Sequence, residues 1–409
     1  MSVARGEADT TESTARRDER RAAGVACGAH ALHDGFTDVI FVLLPIWQRE
    51  FGLGYAEVGM LRGIYAGAMA TFQIPAALLA ERLGAAPVLG LGTALAGVGY
   101  FLAGASTGFL LLIAALFVGG LGASAQHPLG SALVARAFAG PRSLKALGTY
   151  NFAGDIGKMT IPAAAALLLT VTTWQPVVLL LGVVGLVCAA LIFLLTPRYG
   201  PEHLESVLTA SVDAVDAPVP VAPVHASAFP ALLSIGVIDS AVRMAFLTFL
   251  PFLLTAKSAS LPTVGLALTL VFAGGAAGKL VCAFIGARIG AVATVWLTEG
   301  LTAVAILALL PLPLQAGIVL LPLIGIALNG TSSVLYGSVP DLVPAERRTR
   351  AFSIFYTGSI GAGAIAPALF GIVGDHLGVT AALVVVAGVA LLTLPLTLIL
   401  KPALPARTP

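Results

Sequence analysis

Charge is what this chain has least of. Only 10% of its 409 residues are Asp, Glu, Lys or Arg, against about 25% in a soluble domain. A water-soluble globular protein is thereby excluded. The net charge of +2 gives no footing for nucleic acid. Cysteine is nearly absent: Cys27, Cys188 and Cys282 are scattered through apolar stretches, which rules out a disulfide framework or a thiolate metal site. No G-x-x-x-x-G-K-[ST] run is present, so nothing cradles a nucleotide phosphate. No His, Cys and carboxylate set stands at zinc spacing, so no metal and no cofactor are expected. There is no ring of like charges and no filter-like loop of the kind channels use.

Long apolar runs are plentiful. They fall at 26–47, 56–80, 87–105, 109–137, 145–171 and 174–196, and again at 229–254, 261–285, 291–312, 314–338, 349–373 and 379–400. Each approaches or exceeds the ~20 residues that span a bilayer. The expected architecture is an all-α polytopic membrane protein of 12 transmembrane helices. It divides into a disordered cytoplasmic tail (1–24), a six-helix bundle (25–196), a cytoplasmic linker (197–228), a second six-helix bundle (229–401) and a short cytoplasmic tail (402–409). The bundles repeat. Pro45 and Pro251 lie 206 residues apart, as do Gly59 and Gly265, and AERLGA at 80–85 matches GARIGA at 286–291. Pro162 and Pro367 are 205 apart. Parallel six-helix repeats are a transporter architecture, with the substrate at mid-membrane where the halves meet.

Lys and Arg set the orientation. Arg82, Arg136, Arg142, Lys145, Arg198, Arg288, Arg347, Arg348, Arg350, Lys401 and Arg407 fall on the side of the chain ends, and only Arg49 and Lys257 on the other. Both termini are expected in the cytoplasm, in a bacterial-type inner membrane.

The charges that remain lie inside the spans. A carboxylate at mid-membrane costs about 2.5–3.5 kcal/mol on insertion scales, so each one calls for an explanation. In the first span His30, His33, Asp34, Thr37, Asp38 and Phe41 share an arc of roughly 140°. Asp34 has only histidines on its own face, which suits a proton carrier. Asp38 is its neighbour. His30 and His33 read equally as proton-relay members or as packing hydrogen bonders. In the fifth span Asn151, Asp155 and Lys158 share a face, and Asp155 is close enough to Lys158 to pair. In the seventh, Asp239 and Arg243 form an i, i+4 pair. Asp38, Asp155, Lys158, Asp239 and Arg243 come from both halves and converge near mid-depth at 1.5 Å of rise per residue. They read as substrate contacts, or alternatively as ion pairs that only hold helices together. Arg62 and Lys279 either line the cavity or snorkel to an interface. Glu299, on an edge helix, reads as structural. His127, beside the kink-forming Pro128, faces the cavity or satisfies a freed carbonyl. Asn329, Tyr336 and Tyr356 are weaker polar candidates.

These residues carry a family likeness. His30-x-x-x-Asp34, PIWQREFGLGYAEVGML at 45–61, AERLGA at 80–85, HPLGSALVARAFAGPR at 127–142 and the Asn151–Gly157 stretch leading to Pro162 resemble the major facilitator superfamily, and its fosmidomycin-resistance-type branch in particular. The resemblance implies the major facilitator fold and transport by alternating access. It departs from the superfamily in the turn holding Ala77, Glu81, Ala85 and Ala86, and from the branch at Leu129 after His127-Pro128. Asp155 and Lys158 add opposite charges where the branch is neutral, which points to a charged or zwitterionic solute. The expectation is a proton-coupled secondary transporter, not an enzyme, working as a monomer on a small molecule by efflux. Asp34, His30, Asp38 and His33 would handle the proton; Lys158, Arg243, Asp155, Asp239, Asn151, Arg62 and His127 would handle the substrate. The alternatives are an importer or exchanger of an organic anion, and a non-transporting receptor or assembly factor.

Overall fold

The computed structural model describes residues 2–138, 141–196, 227–344 and 347–403. They form helices α1 (Ser2–Phe51), α2 (Tyr55–Thr71), α3 (Gln73–Leu83), α4 (Ala85–Gly104), α5 (Phe109–Ala123), α6 (Gln126–Ala137), α7 (Pro141–Leu168), α8 (Trp174–Leu195), α9 (Ala228–Ala256), α10 (Leu261–Ile289), α11 (Ala291–Leu309), α12 (Leu314–Leu342), α13 (Arg348–Ala390) and α14 (Thr393–Leu400). No strand occurs among the described residues. All-helical architecture follows from the solvent: in hydrocarbon each backbone N–H must find its carbonyl within its own segment.

Among the described residues nine helices are long and apolar enough to cross a membrane, with α5–α6 and α13–α14 each counted once. A tenth is the pair α2 and α3, bent by 41°. The difference from the expected twelve has two sources. The polar face of α7 makes it less apolar than its neighbours. The last two expected spans run together through α13, broken only at Gly378 (φ 84°, ψ 164°). The break between α5 and α6 falls where Pro128 lacks the N–H that would reach the Ser124 carbonyl.

At the N-terminus the structure departs from expectation. Residues 2–24, read as a disordered tail, begin α1. Ala22 is buried with Leu133, Val134 and Tyr150, and Glu19 pairs with Arg142 at 2.6 Å. The expected linker lies outside the described residues except for its last two positions, as does the C-terminal tail beyond 403.

The repeat is visible in backbone geometry. Gly84 and Gly290 close equivalent turns at φ 91°, ψ 153° and φ 82°, ψ 165°, a region that only glycine enters freely. Within the first half α1 packs on α7 and α4 on α5 and α8; within the second, α9 packs on α13 and α10 on α12. The halves meet along two seams, α2 with α13 and α7 with α10. The seams are tightest far from the face where the chain begins. There Asp375 accepts hydrogen bonds from the Tyr55 and Ala56 N–H groups at 2.5 and 3.0 Å. Tyr55 meets Phe249 and Phe252 edge-on, and Gly59 lies against the backbone of Pro367 and Ala368 with no room for a Cβ. On the other seam the Thr269 hydroxyl donates to the Met159 carbonyl at 2.9 Å.

Candidate functional site

Between the seams lies a cavity of about 270 Å³. Its wall takes Asp34 and Asp38 from α1, Arg62 from α2, His127 from α6, Asp155 and Lys158 from α7, Arg243 from α9 and Lys279 from α10. Eight ionisable groups from both halves thus meet in one place. The sequence placed seven of them there as site residues.

Asp34 is the hub of the first half. Its Oδ2 lies 3.4 Å from Lys158 Nζ and 3.4 Å from His30 Nε2, and its Oδ1 lies 3.8 Å from His127 Nε2. Room for this gathering comes from Gly154 on α7. A Cβ there would stand 2.6 Å from Asp34 Oδ2 and 2.8 Å from His30 Nε2. The tautomer of His30 follows from its other nitrogen. Nδ1 is 2.9 Å from the Tyr150 carbonyl, and a carbonyl only accepts, so Nδ1 carries a hydrogen. In the neutral ring Nε2 then offers a lone pair toward a carboxylate oxygen. Two acceptors face each other, and a proton between them resolves the contact. Tyr150 stacks on the same ring at 4.1 Å.

The pairing within α7 is not the expected one. Asp155 does not pair with Lys158. Lys158 turns to Asp34 on α1, and Asp155 takes Lys279 Nζ at 2.6 Å across the boundary between halves. The i, i+3 spacing put both side chains on one face, but each finds a closer counter-charge on a neighbouring helix. Lys279, left open between cavity and interface, lines the cavity. Arg243 and Asp239 pair at 3.5 Å as the spacing predicted, and Arg243 also donates to the Ser332 hydroxyl at 3.0 Å.

Each pair has the same polarity. Lys158 is 32% exposed and Asp34 9%; Lys279 is 44% and Asp155 11%; Arg243 is 17% and Asp239 4%. The bases face the cavity and the carboxylates stand behind them. Arg62 adds a fourth cation. Its guanidinium lies 5.0 Å over the Phe41 ring, and its Nε and Nη1 are buried with no protein acceptor. Buried donors of that kind are costly unless something accepts from them. Asp38 lines the wall opposite Lys158 and Arg62.

Three expected residues sit elsewhere. His33 bonds the Thr93 hydroxyl through Nε2 at 2.9 Å, while that hydroxyl donates to the Leu89 carbonyl. His33 therefore donates, its Nδ1 is left without a partner, and it serves the packing of α1 on α4. Asn151 is exposed and outside the cavity lining. Asp239 lies behind Arg243 in a second cavity. The sequence reading missed Tyr150 and Asp375. Tyr150 sits one residue before the Asn151–Gly157 stretch, but nothing in that position marks a carbonyl contact.

Three further findings come from known proteins. The Major Facilitator Superfamily profile matches residues 26–236 and 231–409. A protein of Escherichia coli K12 described as "Probable L-galactonate transporter" is 26% identical over 268 residues, 62% of this chain and 56% of that protein. The "Fosmidomycin resistance protein" of the same organism is 30% identical over 151 residues, 34% of each. "Multidrug resistance protein MdtL" of Shewanella oneidensis is 29% identical over 158 residues, 38% of this chain and 40% of that one. The chain thus spans about a third to little more than half the length of these relatives. Among solved structures, an inward-facing, occupied bacterial homologue of the human lysosomal transporter Spinster superposes with TM-score 0.72 at 15% identity, covering 93% of this chain and 94% of that one. The nucleoside transporter NupG gives 0.73 at 13% identity, covering 91% and 99%.

Proposed function

The chain belongs to the Major Facilitator Superfamily, and from that premise we propose that it is a proton-coupled carrier of a small organic anion. Its family and relatives are transporters, not enzymes. One observation carries the anion: in the three pairs that Lys158, Lys279 and Arg243 make, the base is the exposed partner and the carboxylate the buried one. An entering solute meets Lys158, Lys279 and Arg243 first, with Arg62 buried deeper in the wall. A relative described as transporting a sugar acid is in keeping with that surface.

Coupling follows from charge. A carboxylate or phosphonate group that takes Lys158 strips Asp34 of its cation. Asp34, buried, then holds a proton more readily, because burial and loss of an opposite charge both disfavour the ionised form. His30 Nε2, 3.4 Å away, delivers or receives that proton. Anion and proton therefore bind in synergy, and they cross together. With the chain ends in the cytoplasm, as the Lys and Arg distribution supports, the tight seams lie at the outer face. On this reading the closed outer face belongs to the inward-open arm of alternating access, and an inward proton gradient drives uptake.

Efflux is the second reading, favoured by relatives described as resistance proteins. Right-side-out and inside-out vesicles with an imposed proton gradient separate the two. The central test is Asp34→Asn. The variant is expected to exchange labelled for unlabelled anion across proteoliposomes at equilibrium yet to lose accumulation against a gradient. A variant that still concentrates the anion as the wild type does would remove Asp34 from the coupling step.

A further inference from the structure

Behind Arg243, away from the central cavity, two carboxyl groups are packed together with a single cation beside them. Asp239 on α9 is 4% exposed and Glu299 on α11 is 2% exposed. The two carboxyl groups are close enough to act on each other. Thr331 of α12 lies beside Glu299, and its hydroxyl is 2.6 Å from that of Thr298. Glu299 Oε2 is buried with no partner. Among the described residues Arg243 of α9 is the charged group that acts on the pair; α12 adds Ser332 and Tyr336 to the surrounding wall, and α13 adds Tyr356 and Ser359. Two negative charges facing one positive charge in a closed site do not balance. Two carboxylates that share a site retain a proton between them.

The pair also has a way out. A second cavity of about 240 Å³ runs from Asp239 and Arg243 past Ser332, Ser359 and Tyr356. These residues lie toward the chain-end side of α9, α12 and α13. Arg243 Nε and Ser359 Oγ, both buried there, have no protein partner. A space of that size with unpartnered polar groups on its wall admits water, and water conducts protons. Internal symmetry points the same way. Asp34 and Asp239 are 205 residues apart, the offset of Pro162 and Pro367. Thr93, which holds His33 against α4, lies 206 residues before Glu299. The second half thus places Asp239 and Glu299 at the positions that Asp34 and Thr93 hold in the first.

We propose that Asp239 and Glu299 share a proton and form a second proton-loading site, reached in this state from the chain-end face and tied to substrate through Arg243. The proposal rests on the carrier reading only for that last link. When the anion draws Arg243 toward the cavity, the pair loses its cation and keeps its proton more firmly, as Asp34 does when Lys158 is taken.

Infrared difference spectroscopy of the purified, reconstituted protein tests this without any substrate. The wild-type minus Glu299→Gln spectrum is expected to show a carboxylic-acid C=O band that fades reversibly as the pH is raised. The same band is expected in the Asp34→Asn background, which separates this site from the Asp34 proton. Gln keeps the size of Glu and a hydrogen-bonding carbonyl. If Glu299→Gln does not fold, wild-type minus Asp239→Asn reads the same pair. Absence of the band from the difference overturns the proposal. So does a band that no pH change alters, because a proton locked in place is structural.

Discussion

Lys158, Lys279 and Arg243 each stand between the cavity and a buried carboxylate, so in the proposed carrier each has two tasks: to receive an anion and to keep its aspartate tolerable in a low-dielectric site. The second task is a matter of stability and grades with burial. Removing one partner of a buried pair leaves an uncompensated charge, at a cost of about 3–5 kcal/mol. Arg243→Gln strands Asp239, which is 4% exposed, and is expected to lower the melting temperature of the purified protein clearly. Arg243→Gln with Asp239→Asn is expected to restore most of the loss. Lys279→Gln strands Asp155, but Lys279 itself is 44% exposed, so solvent already screens the pair and the loss is expected to be well below that range. Equal losses at the two sites would mean that burial does not govern the pairs. The identity of these partners was only half legible in the chain. Spacing along one helix shows which side chains share a face, and it found Asp239 with Arg243. It could not show that Lys279, more than 120 residues downstream of Asp155, comes closer to it than Lys158 does. Nor could it show that His33 would bond the hydroxyl of Thr93 on α4.

Helices α2 and α13 close the face opposite the chain ends by a device that spacing does not reveal. The first N–H groups of a helix have no intrahelical acceptor, and in α2 two of them are met by the carboxylate of Asp375 from the other half. A carboxylate at a helix N-terminus is worth about 1 kcal/mol. It acts only while the seam is shut, so it weights the equilibrium toward the state seen here. Asp375→Ala is expected to raise the population open at that face about fivefold. A cysteine at Ala66, on the cavity wall, in a background with Cys27, Cys188 and Cys282 replaced by serine, reads this out. Its labelling from that face by a membrane-impermeant thiol reagent is expected to speed up by the same factor, and unchanged labelling would mean the cap carries no weight in the equilibrium. Most of the elements themselves were legible: the apolar runs, the repeat at 205–206 residues, and the paired glycine turns all reappear. What escaped was local competition. The Ala-rich, Arg-rich start of the chain reads as a polar tail, yet Ala22 finds an apolar seat and the helix of the first span continues back through it.

At the scale of the whole molecule the two proposed proton sites determine what the membrane potential can do. A carrier that moves one proton with a monovalent anion is electrically neutral and feels only the pH difference. The first half alone, with His30 and Asp34, describes such a carrier. A second proton on Asp239 and Glu299, carried in the same cycle, adds one net positive charge. Moving one charge through 100 mV is worth about 2.3 kcal/mol, which corresponds to roughly fiftyfold in accumulation. Proteoliposomes loaded with potassium and given valinomycin impose such a potential with no pH difference. An accumulated monovalent organic anion is then expected to respond to the potential in the wild type. In Glu299→Gln the response is expected to vanish while the response to a pH difference persists, because Asp34 and His30 are untouched. Wild-type uptake indifferent to the potential would show that a single proton crosses with each anion, and that the second half binds substrate without moving charge of its own.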